Sequence, residues 1–206
     1  MRIKWILPVV LVVLFGMQAW GQNYRSDAAV QGFGAFQKPD AIGLGVEDKA
    51  TYSGGFLASY RYHFNHFSAL EVNYGYSRFA QRYTTASGNA AIQANVNEAS
   101  LAYVLTPHSF ADGKLKPFAL AGVGALIFDP TNNTGGSVAG SFVQDRSAFL
   151  YGGGVDYFPL SGHDRFGLRL GYRGLVYKAP SFDVPGLNTE AITNLAEPYA
   201  GIVFRF

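Results

Sequence analysis

Phe166, Leu168, Leu170 and Tyr172 alternate with Gly167, Arg169, Gly171 and Arg173. A strand turns successive side chains to opposite faces, so a two-residue period of this kind separates an apolar face from a polar one and does not fit a helix. The same period recurs along the chain. Thr51–Phe64 sets Tyr52, Phe56, Tyr60, Tyr62 and Phe64 against Ser53, Leu57, Ser59, Arg61 and His63. Ala69–Tyr76 sets Leu70, Val72, Tyr74 and Tyr76 against Ala69, Glu71, Asn73 and Gly75, and Asn97–Leu105 sets Leu101, Tyr103 and Leu105 against Glu98, Ser100 and Ala102. Weaker alternation marks Ala28–Phe36, Pro117–Phe128, Ala148–Phe158 and Pro198–Phe206. The sum, with Phe166–Val176, is eight strands of roughly ten residues, the length a tilted strand needs to cross a bilayer.

A helical bundle is excluded on the same residues. Beyond the N-terminus the longest uncharged apolar stretch, Pro117–Phe128, is interrupted by Gly122 and Gly124 and falls well short of the roughly 20 residues of a transmembrane helix. Only 15% of residues are charged, below the roughly 25% of an ordinary soluble domain. Aromatic residues reach 16%, which separates the chain from disordered compositions. The absence of cysteine excludes disulfides, a thiol nucleophile and Cys-ligated metal.

The first 21 residues read as a cleaved signal peptide, leaving 22–206 as one barrel domain. Arg2 and Lys4 precede the apolar run Trp5–Phe15, and Ala19-Trp20-Gly21 supplies small residues for cleavage. Losing Arg2 and Lys4 takes the formal charge from +2 to zero, so nothing electrostatic points to nucleic acid.

Alternation alone does not separate a soluble barrel from a membrane barrel. Side-chain size does. The polar face is mostly Gly, Ser, Ala and Asn and suits a cramped eight-strand lumen, whereas the bulk lies on the apolar face, where lipid can take it. Leu70, Val72, Leu168 and Leu170 are expected to touch lipid. Aromatic residues gather at strand ends as two girdles, Tyr62, Phe64, Tyr103, Phe118, Tyr157, Phe166 and Phe206 at one level and Tyr52, Tyr76, Phe128 and Phe149 at the other. The connections Asn65-His66, Thr106–Lys116 and Pro159–Arg165 are short, whereas Gln37–Ala50, Asp129–Arg146 and Lys178–Glu197 are longer. Short periplasmic turns and longer outer loops put both termini in the periplasm.

The chain end, with Ala200, Ile202, Phe204 and Phe206 alternating, is similar to the C-terminal signature by which outer membrane barrels are recognised for assembly. Lys116-Pro117-Phe118 running into Gly122-Val123-Gly124, then Tyr151-Gly152-Gly153-Gly154-Val155-Asp156-Tyr157 and Gly171-Tyr172-Arg173-Gly174, resemble the OmpA/OmpX-like outer membrane protein β-barrel domain family over essentially all of Asp27–Phe206. The resemblance implies an all-β, eight-stranded antiparallel up-and-down transmembrane barrel. It says little about activity, because that family includes adhesins, structural proteins, small transport proteins and a few enzymes. No peptidoglycan-binding module is expected after the last strand.

One constellation carries chemistry. Arg61, Glu71, Glu98, Asp156, Arg169, Arg173 and Arg205 all fall on the polar, inward face. In a confined interior of low dielectric such groups must pair and hydrogen-bond, and an eight-strand barrel is just wide enough for side chains to fill. A salt-bridge plug is therefore expected, with Glu71 or Glu98 paired to Arg169 or Arg173; a gated ion path is the competing reading. Acyl chemistry on lipid A needs a histidine near the outer leaflet, but His63, His66, His108 and His163 fall in or beside the short turns at the other end and read as polar turn residues. No metal, cofactor or catalytic residue is expected. The expected protein is a monomeric, non-enzymatic outer membrane barrel with a structural or loop-mediated role, a narrow channel and a lipid A-modifying enzyme being the alternatives. Its partners would be outer membrane lipids, the barrel assembly machinery and an extracellular or host ligand on the outer loops, with no nucleic acid.

Overall fold

A computed structural model describes residues 25–37, 41–42, 46–50, 53–85, 88–107, 109–131, 143–159, 165–178 and 192–206. The expected signal peptide, His108 and His163 lie outside them. Ten strands follow in chain order: β1 (Ser26–Gln37), β2 (Ala41–Ile42), β3 (Val46–Ala50), β4 (Ser53–His63), β5 (Ser68–Thr85), β6 (Gly88–Leu105), β7 (Leu115–Thr131), β8 (Gln144–Tyr157), β9 (Phe166–Lys178) and β10 (Ile192–Arg205). No helix occurs among the described residues.

Eight of these strands close into an antiparallel up-and-down barrel. Each of β4 through β10 pairs with its neighbour in sequence, β1 pairs with β4, and β1 meets β10 to seal the wall. The short β2 and β3 stand outside this ring; β3 pairs with Gln81–Thr84 of β5, past the last β4 partner, Ser77. The end carrying Ser26, Phe206 and the β4–β5, β6–β7 and β8–β9 connections is called the near end below, and the opposite one the far end.

Local chemistry sets the near-end turns. The Asn65 carboxamide accepts from the amides of Phe67 (2.8 Å) and Ser68 (2.9 Å), closing the β4–β5 connection through a side chain. Between β6 and β7, Phe110 and Leu115 exchange both backbone bonds, and Lys114 N–H donates to the Ala111 carbonyl (3.1 Å). Asp112 (φ 55°) and Gly113 (φ 83°) supply the left-handed pair that such a reversal needs.

β5 and β6 run on beyond the expected Tyr76 and Asn97, pairing as far as Thr85 and Gly88, so the expected loop there is largely a hairpin. A second correction concerns β10. It begins at Ile192, not Pro198, and brings Glu197 out of the expected outer loop into the barrel wall. Proline read as a strand boundary because it cannot donate to a ladder. Here the strand passes through it. Ser26 and Phe206 exchange both backbone bonds, so even-numbered β1 residues form the hydrogen-bonded pairs with β10, and Gly34 faces Pro198. The ladder register accordingly skips Gly34 and Ala35, resuming at Phe36↔Ala196.

The alternation also sorts inside from outside. Val72, Leu101, Leu168, Leu170 and Ile202 are exposed on the outer wall, while Leu57, Leu150, Leu175 and Leu195 fill the lumen. The expected facing of β7 is reversed. Phe118 and Phe128, expected in the girdles, are buried inside with Leu120 and Leu126, and Val123 with its small neighbours faces outward. Bulk was a poor guide on β7, because there the large side chains fill space around lumen charges. At the near end the outer girdle contains Phe64, Phe67, Tyr103, Tyr157 and Phe166. Phe166, Phe204 and Phe206 pack ring on ring at 4.8 and 5.8 Å, and Tyr60 lies 6.2 Å from Phe206. The terminal alternating residues thus belong to this girdle. Tyr52 lies outside the described residues.

Candidate functional site: the charged lumen

All seven charges expected inside the barrel are buried there, and two more join them. Asp27 on β1 and Glu197 on β10 are both inside the wall and essentially inaccessible. Period-2 reading could have found Asp27 by extending β1 one residue. Glu197 was hidden by Pro198.

Register explains the first layer. Arg205 pairs with Asp27, Asp27 with Arg61, and Arg61 with Glu71, so four adjacent strands carry charges of alternating sign along one ladder. On the opposite wall Asp156 of β8 pairs with Arg169 of β9. Cross-strand opposite charges stabilise a sheet, and here they also meet across the lumen. Arg61 Nε donates to Glu71 Oε2 (2.8 Å), and its Nη1 reaches Asp156 Oδ2 at 3.2 Å. Arg169 grips Asp156 in the two-pronged mode, Nε to Oδ1 at 2.7 Å and Nη2 to Oδ2 at 2.9 Å. Its Nη2 also donates to Asp27 Oδ1 at 2.9 Å, and its Nη1 lies 3.4 Å from Glu71 Oε2. Three arginines thus face three carboxylates, and Lys116 of β7, half-buried, lies opposite Asp156 on the same ladder.

Aromatic rings complete it. The Arg61 and Arg169 guanidinium carbons lie 4.4 and 5.4 Å from the centre of the Phe118 ring, and Arg205 lies 3.4 Å from the Phe158 ring. Ring faces carry partial negative charge, so they suit cations that have lost their water. This is the physical reason for the inward turn of Phe118. Gly167 makes room for Phe158, whose ring would lie 2.7 Å from any Cβ at that position.

A second ion set lies nearer the far end. Arg173 donates to both oxygens of Glu98 on the opposite wall, Nη1 to Oε1 at 2.9 Å and Nη2 to Oε2 at 2.7 Å. Its Nη2 is also 2.5 Å from Glu197 Oε2 on the neighbouring strand. Ser100 donates to Glu98 Oε1 at 2.9 Å, and the Phe33 ring centre lies 5.4 Å from the Arg173 guanidinium carbon. One arginine faces two carboxylates, a formal charge of −1. Past this set Val96, Phe128, Leu150, Leu175, Tyr177 and Leu195 fill the lumen, with Phe128 and Tyr177 in ring contact at 5.7 Å.

The structure brings together Glu71 with Arg169 and Glu98 with Arg173, alongside the contacts of Asp27, Asp156 and Glu197. His63 is more than a polar turn residue. Its Nε2 lies 2.7 Å from Asp27 Oδ2, which ties the solvent-facing mouth to the first ion layer. His66 is exposed. Among the described residues no group of three His, Cys, Asp or Glu side chains is placed to hold a metal ion.

The structure is similar to that of the outer membrane protein OprG from Pseudomonas aeruginosa, with a TM-score of 0.59 and 14% identity over 89% of this chain and 97% of that one. This is the fold of the small outer membrane β-barrels. Neisserial surface protein A shares it (TM-score 0.54, 16% identity, 88% of this chain and 97% of that one). So does Ail, the attachment invasion locus protein of Yersinia pestis (TM-score 0.51, 13% identity, 89% of this chain and all of that one). The fold agrees with the OmpA/OmpX-like resemblance of the sequence. No protein-family model matches the chain, and no curated protein does.

Proposed function

We propose that this chain is a monomeric, non-enzymatic integral protein of the outer membrane whose lumen is closed by its own side chains and which acts structurally or through its outer loops. The observation that carries the reading is the pair of ion layers spanning the barrel interior, each guanidinium and carboxylate buried and engaged, with an apolar layer beyond them. A conducting pore needs water beside its charges; here the charges are matched by one another and by aromatic faces. An apolar outer wall, ringed at the near end by aromatic side chains and lacking charge between Leu168 and Tyr172, supports placement in lipid. The near end, with its short turns, is the periplasmic one in this reading. Neither catalysis nor a metal enters it: among the described residues the histidine linked to an acid is His63, at that near mouth, far from any outer-leaflet substrate.

Planar-bilayer recording on the refolded full chain tests the plug, alongside mass spectrometry of lipid A from cells that express it. The expected result is no steady single-channel conductance and no lipid A mass shift. Steady conductance in the wild type, with Glu71→Gln, Glu98→Gln and Arg173→Gln all folding as stably as the parent, would establish an ion path instead. Recovery of the mature chain as a soluble periplasmic protein without heat-modifiable gel mobility would overturn the membrane placement.

A further inference from the structure

One guanidinium of the lumen is matched by a ring and by no acid. Arg205, the last residue of β10, is 7% exposed, and its guanidinium carbon lies 3.4 Å from the centre of the Phe158 ring. Its ladder partner is Asp27, but that carboxylate is already engaged. Oδ1 of Asp27 accepts from Arg169 Nη2 at 2.9 Å, and Oδ2 lies 2.7 Å from His63 Nε2. The oxygens of Asp156 are likewise held, by Arg169 and Arg61. Among the described residues no carboxylate bonds to Arg205, so its five N–H donors lie just inside the near mouth without a protein acceptor. The ring covers one face of the cation and leaves the plane of its N–H groups open.

The rim around this guanidinium is basic. Arg25, Lys114 and Arg165 stand two, two and four residues before the inward Asp27, Lys116 and Arg169, so the strand alternation puts them on the inward side as well. Backbone bonds hold that register: the carbonyls of Arg25, Lys114 and Arg165 accept from the amides of His63, Phe158 and Arg205. Arg25 and Arg165 are exposed, and Lys114 is half-buried. Among the described residues of this end, the acid outside the ion layer is Asp112, exposed in the β6–β7 turn.

A buried cation without a counter-charge is costly, and an anion on its open edge lowers that cost. The planar fork of a guanidinium matches two oxygens of one group, a fit that a spherical halide does not offer. The barrel wall separates this edge from lipid, so the anion must come from water and be small enough to pass the rim. We propose that the near mouth is an oxyanion site, in which Arg205 holds a small free carboxylate or phosphate solute beside the Phe158 ring and Arg25, Lys114 and Arg165 draw it in. The site goes beyond the closed lumen proposed above and does not depend on it, because it lies on the near side of the first ion layer.

Nitrogen-15 NMR of the refolded full chain in an uncharged glucoside detergent tests this through the Arg205 Nε–H signal, identified by its loss in Arg205→Gln. Sodium phosphate, and separately sodium acetate, replaces sodium chloride at constant ionic strength. Each is expected to give a saturable shift of the Arg205 signal and of the Phe158 amide, half-complete at millimolar concentration. Arg25→Gln with Arg165→Gln should leave the fold intact and weaken binding by roughly threefold. Arg205→Lys keeps the charge and loses the fork, so binding read at the Phe158 amide should weaken by roughly tenfold. No shift, a shift that grows without saturating, or wild-type affinity in Arg205→Lys would overturn the proposal. Adding an anionic phospholipid to a zwitterionic nanodisc that holds the wild type should leave both signals in place. A saturable shift there would assign the site to a headgroup and overturn the free-solute reading. Steady single-channel conductance would refute the plug alone, since the oxyanion shift would persist beside it.

Discussion

Arg173→Met separates a matched lumen from an incidental one. Arg173 is 1% exposed, binds Glu98 through two parallel bonds of 2.9 and 2.7 Å, and lies 2.5 Å from Glu197. Methionine keeps most of the side-chain length and none of the charge, so the variant leaves Glu98 and Glu197 facing the lumen with no cation between them. Breaking one buried pair by removing a partner costs about 3–5 kcal/mol, and stranding two carboxylates puts the expected loss at the upper end of that range. Glu197→Gln should behave in the opposite way. It leaves one arginine facing one carboxylate and removes the formal excess of negative charge, so its cost is expected within about 1 kcal/mol. Combining Arg173→Met with Glu98→Gln and Glu197→Gln leaves no stranded charge and should regain most of the loss. Reversible urea unfolding from lipid vesicles, followed by far-ultraviolet circular dichroism and gel mobility, gives the three values. Tryptophan emission does not serve, because Trp5 and Trp20 both precede the barrel. An Arg173→Met stability within about 1 kcal/mol of the parent, or a Glu197→Gln loss as large as that of Arg173→Met, would refute the charge matching.

Leu170→Arg places a cation on the lipid face, where Leu170 is 53% exposed, and should cost about 2–4 kcal/mol if it lies at the bilayer midplane; a spin label there should be accessible to oxygen and shielded from polar relaxants. Phe118→Ala removes a buried ring and the π-face beneath two guanidinium groups, so a loss of about 3–5 kcal/mol is expected in the same unfolding assay, against near-neutral behaviour for a ring lying in an outer girdle. Pro198→Ala returns a backbone donor opposite the Gly34 carbonyl; the new amide should show slow hydrogen exchange, and fast exchange there would contradict the register of the β1–β10 seam.

The facing of β4, β5, β6 and β9 was legible because alternation is a local property. Once Leu168 and Leu170 point one way, backbone geometry sends Arg169 and Gly171 the other, whatever the rest of the chain does. The signal weakened where both faces are apolar. On β7 the choice between Phe118 and Val123 as the lipid-facing side depends on what fills the lumen opposite, and only Arg61 and Arg169, on strands distant in sequence, decide it. At β10 the misleading feature is a residue rule: proline seldom stands within a ladder, so the sequence pattern starts the strand at Pro198 and leaves Glu197 in a loop, whereas β10 begins at Ile192.

What this sequence determines by itself is therefore the period, the number of barrel strands, the inward position of Arg61, Glu71, Glu98, Asp156, Arg169, Arg173 and Arg205, and the short near-end turns, since each depends on neighbours a few residues away. Which charge meets which was decided by the tertiary structure alone. Arg173 reaches Glu98 across the lumen and Glu197 on the next strand because barrel closure and strand stagger bring those three positions to one level. That stagger is a property of the whole ring of hydrogen bonds, and no short segment of the chain encodes it.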